Sequence, residues 1–379
     1  MPKGLRPQEE LGKRIFFDTS LSANGNQSCA SCHDPATGFT GPNATSNAHG
    51  SVHEGSFAGR FGGRKPPTAA YASVSPILHI NEDGLYIGGN FWDGRATGSR
   101  LGSPSAEQAQ MPFLNPVEQA LASPADVVGR VCGGPYARLF TKVWGARICT
   151  NVGKAYDAIG LSVAAYEDSD EVNAFDSRFD RARGGHRLSR LEEKGREIFE
   201  GKANCAACHP SDGRKPLFTD FSYDNIGIPK NPENPANVAD PTFVDPGLGG
   251  ALKNAGQPAS VYEPEWSKFK VSTLRNVDAR PYRGFVKAFG HNGFFKSLEG
   301  IVHFYNTRDV LPRCPEPGGV PFTEAQALAA GCWPAPEYEP TMNVDELGNL
   351  GLSGFEEQAL VAFLRTLTDE DGDEHGHGH

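Results

Sequence analysis

Two copies of one short pattern decide how this chain is read: "NQSCASCHDP" at residues 26–35 and "NCAACHP" at residues 204–210. Each spells Cys-x-x-Cys-His, as Cys29, Cys32 and His33 in the first copy and Cys205, Cys208 and His209 in the second. Two thiols spaced by two residues can each bond one haem vinyl group, and the adjacent histidine then falls under the ring to ligate the iron. A thioredoxin-like redox pair would need a βαβ pattern around it, and none is visible. A zinc site would need the two cysteine pairs to converge, which two separate copies, each followed by histidine, do not suggest. Two covalently bound haem c groups are the expectation, with His33 and His209 as iron ligands.

The flanks repeat as well. "EELGKRIFF" (9–17) precedes the first site and "EEKGREIFE" (192–200) the second, with Glu9/Glu192, Gly12/Gly195, Ile15/Ile198 and Phe16/Phe199 in register. The apolar residues recur at helical spacing. Ser189 with Glu192, and Ser353 with Glu356, have the spacing of capping boxes. "VGKAYDAIGLSVAAYE" (152–167) and "SGFEEQALVAFLRTLT" (353–368) read as closing helices. The expectation is a mainly α chain, internally duplicated, with two cytochrome c-like haem domains and long loops. The domains are set at 1–180 and 181–379, and the charged stretch "DSRFDRARGGHRLS" (176–189) is taken as the linker.

With 45 glycines and 29 prolines in 379 residues, much of the chain must be loop. A net charge of −10 argues against nucleic acid as a partner. No apolar run reaches membrane-spanning length. Four cysteines lie outside the haem motifs and allow three pairings. Cys132–Cys149 and Cys314–Cys332 are favoured, because each closes a short loop containing glycine or proline. Disulfides imply an oxidising compartment. "MPKGLRPQEE" has no apolar core, so a periplasmic protein whose signal peptide has been removed is expected.

An electron carrier fills both axial positions of each iron, whereas an enzyme leaves one open. Methionine, the usual sixth ligand of a carrier, occurs only as Met1, Met111 and Met342, none in a convincing setting.

Taken in order, "SCASCHDPATGFT", "GGNFWDGRATG", "EQAQMPFLNPVEQA", "CAACH", "FKVSTLRNV", "GHNGFF" and "HFYN" resemble the bacterial di-haem cytochrome c peroxidases, and within them the MauG-like enzymes, over almost the whole chain. The resemblance implies that the haem on His33 reacts with hydrogen peroxide, with Gln108 and Glu118 in its distal pocket. A carboxylate there can take a proton from one peroxide oxygen and return it to the other. The haem on His209 is implied to be six-coordinate with Tyr305 as distal ligand. His303 is the rival, and residues two apart on a helix do not share a face. Trp92 is implied to lie between the haems as an electron or hole relay. His291 matches a family histidine near the second haem and is given no ligand duty. His49, His53 and His79 occupy the stretch from which ordinary peroxidases draw a capping histidine, though "NAHGSVHEG" fits that pattern poorly.

In the MauG-like branch the oxidising equivalents reach Trp or Tyr side chains of a partner protein by long-range electron transfer. The rival within the fold is a peroxide scavenger fed by a small cytochrome c or cupredoxin; a non-enzymatic two-haem carrier would need both irons capped. The family also places calcium between the domains, held by an Asn before a Pro-Thr step. Here "RKPPTAA" sets Lys65 at that place and "KVSTLRN" sets Ser272 where proline is common, so calcium stays open. The insert 313–333 is a candidate partner surface. His375, His377 and His379 alternate in an acidic tail that is read as a disordered terminus in preference to a metal site.

Overall fold

The computed structural model describes residues 4–370, so Met1 and His375, His377 and His379 lie outside the described residues. The chain is helix-rich. Its only named strands form two small antiparallel ladders among the described residues, pairing His79–Ile80 with Tyr86–Ile87 and Tyr223–Asp224 with Phe269–Lys270.

Both expected opening helices form, as Pro7–Phe16 and Arg190–Glu200, and each packs against a later helix: Val152–Glu167 for the first and Gly354–Arg365 for the second. Glycine makes both crossings close. A Cβ on Gly12 would lie 1.9 Å from Ser162 O, and one on Gly195 would lie 1.9 Å from Ala359 O. Both capping boxes are present: the Ser189 N–H donates to Glu192 Oε2 (2.7 Å), and that of Ser353 to Glu356 Oε2 (2.8 Å). Each satisfies helix-end N–H groups that would otherwise lack a partner.

Two large apolar cores follow, beside a small cluster of Tyr223, Leu248 and Leu252. One is built from residues between Leu11 and Val172, the other from residues between Phe179 and Leu367. Phe199, Phe218 and Phe363 pack in the second with ring centroids 5.2–6.3 Å apart. Burying each such ring stabilises the fold by roughly 1.5–3 kcal/mol. Residues 176–189 are not a free linker. They contain the helix Arg178–Arg183, whose Phe179 is buried 5.1 Å from Phe218, while Asp180 pairs with the fully buried Arg275. An aromatic residue in a charged stretch draws it onto the core.

Disulfides join Cys132 to Cys149 and Cys314 to Cys332, and Cys29, Cys32, Cys205 and Cys208 stay free. The second disulfide closes the 313–333 insert, which Trp333 anchors in the second core beside Phe304. The two halves are tied by Arg64, which donates to Asp93 Oδ2 (2.6 Å) and, through two nitrogens at 2.7 Å each, to Asp245.

Candidate active site

Each Cys-x-x-Cys-His stretch forms a short 3-10 turn, Cys29–Ser31 and Cys205–Ala207, that leads directly into its histidine. His33 Nδ1 is 3.1 Å from Phe39 O, and His209 Nδ1 is 2.7 Å from Phe218 O. A carbonyl only accepts, so Nδ1 carries the hydrogen in both rings and the Nε2 lone pair is left for a metal. Both carbonyls belong to phenylalanines with left-handed backbone, φ 58° at Phe39 and 52° at Phe218. That conformation costs on the order of 1–3 kcal/mol in a bulky residue. Here it turns the carbonyl toward the imidazole. Burial holds both histidines below their ordinary pKa, so each ring is the neutral form that ligation requires.

Cys205, Cys208, His209 and Tyr305 line one cavity that encloses about 1730 Å³ of atom-free space, part of it open to solvent. Tyr305 lies on the helix Leu298–Thr307, which begins with Ser297 as its cap. Burial, then the nearby Cys205 and Cys208, pushes its hydroxyl above the ordinary tyrosine pKa. His303 turns elsewhere: its Nδ1 is 3.0 Å from Glu357 Oε1 and its ring lies near Trp333. Neither Met111 nor Met342 lines this cavity, and Met111 is exposed. His291 is buried in the wall, stacked at 3.5 Å on Phe269, with Nε2 3.3 Å from Glu337 and Nδ1 without a partner. A deep cavity with two thiols, an imidazole already in the ligating tautomer and an orphaned buried nitrogen fits a haem.

The first site brings Glu118 near Cys29 and Cys32. Glu118 follows the helix Pro104–Leu114 on a turn and is half-buried. Burial raises its pKa, opposed by Arg95 and a hydrogen bond from Asn115. Glu118 is in turn close enough to raise the thiols of Cys29 and Cys32. Gln108, on the same helix, lines a small separate cavity with Trp92, Asn90 and Lys270, and Glu118 does not line it. Trp92 borders both that cavity and the one containing His209 and Tyr305. Its indole N–H donates to Lys65 O (2.7 Å), and its carbonyl accepts from the Lys270 N–H (2.8 Å). His49 is engaged by Glu233 (2.9 Å) and His79 sits on an exposed strand. His53 is different: its Nε2 is buried without a partner, and burial together with the nearby His33 lowers it to about 4.

The family model described as di-haem cytochrome c peroxidase matches residues 6–188. The methylamine utilization protein MauG of Paracoccus denitrificans is 37% identical over 368 residues, covering 95% of this chain and 88% of that protein. The chain belongs to the di-haem cytochrome c peroxidase family. Cytochrome c551 peroxidase of Nitrosomonas europaea is 29% identical over 299 residues, covering 77% of this chain and 71% of that one. Among solved structures, the diheme peroxidase BthA from Burkholderia thailandensis superimposes with a TM-score of 0.80 at 29% identity, over 97% of this chain and 87% of that chain. This di-haem peroxidase is therefore an oxidoreductase that uses peroxide, and its family implies haem c. No helix among its described residues is long and apolar enough to cross a membrane.

Reading the sequence missed three features of this di-haem peroxidase. The carbonyls of Phe39 and Phe218 fix both histidines, and the only hint was a Phe-Thr pair after each haem motif. Lys270 and Lys287 line the larger cavity beside Lys65, and nothing local marked them as cavity residues.

Proposed function

We propose that this chain is a periplasmic di-haem enzyme that reacts with hydrogen peroxide at the haem of Cys29, Cys32 and His33. It then withdraws electrons from Trp or Tyr side chains of a partner protein through the haem of Cys205, Cys208 and His209. The chain is read as two cytochrome c-like units, 1–180 and 181–379, from one internal duplication. The two separate cores and the matched crossings at Gly12 and Gly195 support that division.

Bound haem would supply the iron that takes up the two oxidising equivalents of peroxide. The protein supplies the rest. His33 and His209 present Nε2. Glu118, with its raised pKa, takes a proton from one peroxide oxygen and gives it to the other. Gln108 orients peroxide or water. Trp92, bordering both cavities and pinned at its N–H and carbonyl, relays electrons without moving. Tyr305, in the same cavity as His209, would hold the second iron together with it. Burial, with the nearby Cys205 and Cys208, keeps its phenol protonated, so a metal is what would convert it to phenolate, a hard anionic donor.

The observation that carries this reading is Tyr305 in the cavity of His209 while His303 is held by Glu357. Relatives named cytochrome-c peroxidase favour a second reading, reduction of peroxide with electrons from a small cytochrome c or cupredoxin. Electron paramagnetic resonance of the ferric protein tests the choice. One high-spin and one low-spin signal are expected, and Tyr305→Phe should abolish the low-spin one. A low-spin signal untouched by Tyr305→Phe would remove the tyrosine ligand and with it the first reading.

A further inference from the structure

Lys65 stands where the two haem sites share a wall. Its N–H donates to His291 O (2.8 Å), and its carbonyl accepts the Trp92 indole. Its side chain is only 8% exposed, and its ammonium donates to Thr40 Oγ1 (2.9 Å) and Pro66 O (3.1 Å). Thr40 adjoins Phe39, whose carbonyl fixes His33, and Lys65 itself lines the cavity of His209 and Tyr305. Lys270 and Lys287 line the same cavity.

An ammonium has three N–H donors. Lys287 gives all three to the carbonyls of Thr37 (2.8 Å), Asn276 (2.9 Å) and Ala279 (3.0 Å). Lys270 gives its three to Ser75 Oγ, Gly89 O and Asn90 Oδ1. Lys65 has two acceptors and one N–H to spare. Burial acts on Lys65 unopposed by any carboxylate and lowers it to about 8. A buried cation without an anion is costly, and haem brings two carboxylates.

A divalent metal does not fit beside it. Calcium needs six to eight oxygen ligands. Thr40 Oγ1 and Pro66 O already serve the ammonium, a second cation would be repelled, and the described residues hold no cluster of His, Cys, Asp or Glu of metal-binding size.

We propose that Lys65 is a built-in cation of the wall between the haem sites, taking the place of a divalent metal and offering its spare N–H to a carboxylate of the haem on His209. This rests on haem binding at His209. A pyridine haemochrome count of two per chain checks that first; a lower count would sink the haem reading and, with it, the carboxylate partner of Lys65, whereas failure of the lysine alone shows only in the metal and potential measurements below.

The test uses the holoenzyme. Metal analysis of the native protein should find no stoichiometric calcium, and dialysis against EGTA should leave both midpoint potentials and the resonance spectrum unchanged. One calcium per chain, or a shift on EGTA that added Ca²⁺ reverses, would overturn the proposal without any variant. Lys65→Met keeps the length and removes the charge. The potential of the His209 haem should fall, because the ferric state loses a nearby positive charge, and Lys65→Arg should bring it back. An unchanged potential in Lys65→Met, or an equal fall in Lys65→Arg, would make Lys65 a packing residue only.

Discussion

Adding one methyl group at Gly12 or at Gly195 should disturb one haem site and spare the other. In each case the new Cβ would lie 1.9 Å from a backbone oxygen, Ser162 O or Ala359 O, where ordinary contact begins at 3.4 Å. Backbone cannot swing aside as a side chain does, so the helices must part by about 1.5 Å or their axes must tilt. Overpacking of this kind costs typically 1–3 kcal/mol, and a clash with backbone belongs at the upper end. Alanine returns up to about 1 kcal/mol through its better helix propensity. A net loss of about 2 kcal/mol is expected, or a fall of roughly 4–8 °C in Tm for a unit of about 150–250 residues. The second helix contacts its Cys-x-x-Cys-His turn and the first shares its apolar core with Cys29, so the disturbance should reach that haem. Gly12→Ala should alter the resonance signal of the first haem and Gly195→Ala that of the second, with calorimetry reporting the loss. Equal changes at both haems from either variant would refute the division into two separately packed units, and no change from either would refute the packing argument itself.

Three further outcomes are expected. Replacing Glu118 by Gln should slow the reaction with peroxide roughly 10²-fold or more in stopped flow. Since a base must be ionised and burial raises this carboxyl, the native rate should climb with pH through that raised pKa and the variant should lose the step. Glu167 is buried and raised from 4.5 to about 8, so unfolding releases a proton across that interval and stability falls as pH rises through it; at roughly 1.4 kcal/mol per unit the loss is up to about 4–5 kcal/mol, and a Glu167→Gln melting curve should be flat where the native one declines. Removing the Cys132–Cys149 disulfide by double serine substitution should cost about 3 kcal/mol in denaturant unfolding, as expected for a loop of about this length, and a loss below about 0.5 kcal/mol would show that the loop is held by its other contacts.

What the sequence made legible was whatever depends on near neighbours along the chain. The capping boxes at Ser189 and Ser353, the helices on either side of each haem motif and the two disulfides all rest on spacings of 3 to 18 residues. The segment 176–189 misled because its charges advertise solvent while a single residue, Phe179, decides its position against Phe218. The haem motifs named the cysteines and histidines of the site, but not what surrounds them. The Phe39 and Phe218 carbonyls act through a left-handed backbone that no residue type announces, and glycine would have been the usual signal for it. Gln108 lies on the helix Pro104–Leu114 and lines the small cavity beside Trp92, whereas Glu118, on the turn after that helix, does not line it, a division that their ten-residue spacing did not announce.

The wall between the two cavities deserves the most weight in any account of how the halves cooperate. A relay residue works at fixed distance, so what matters is how little it can move. Trp92 is held at its indole N–H by Lys65 O and at its carbonyl by the Lys270 N–H, so its ring and its backbone are fixed by residues from opposite halves of the chain. Lys270 and Lys287 carry their ammonium groups into nets of oxygen acceptors that also cross the halves: Lys270 binds Ser75, Gly89 and Asn90, and Lys287 binds Thr37 along with Asn276 and Ala279. Arg64 adds a bidentate tie to Asp245. Each of these contacts removes a charged group from water, which is worthwhile only where its donors are fully used. Of the three lysines, Lys65 alone keeps one donor in hand, and it is also the residue that touches Trp92, His291 and the loop fixing His33. A charge placed at that junction acts on both haem sites through space and on the relay through a hydrogen bond. Loss of the charge at position 65 should therefore be felt as a change in potential before it is felt as a loss of fold.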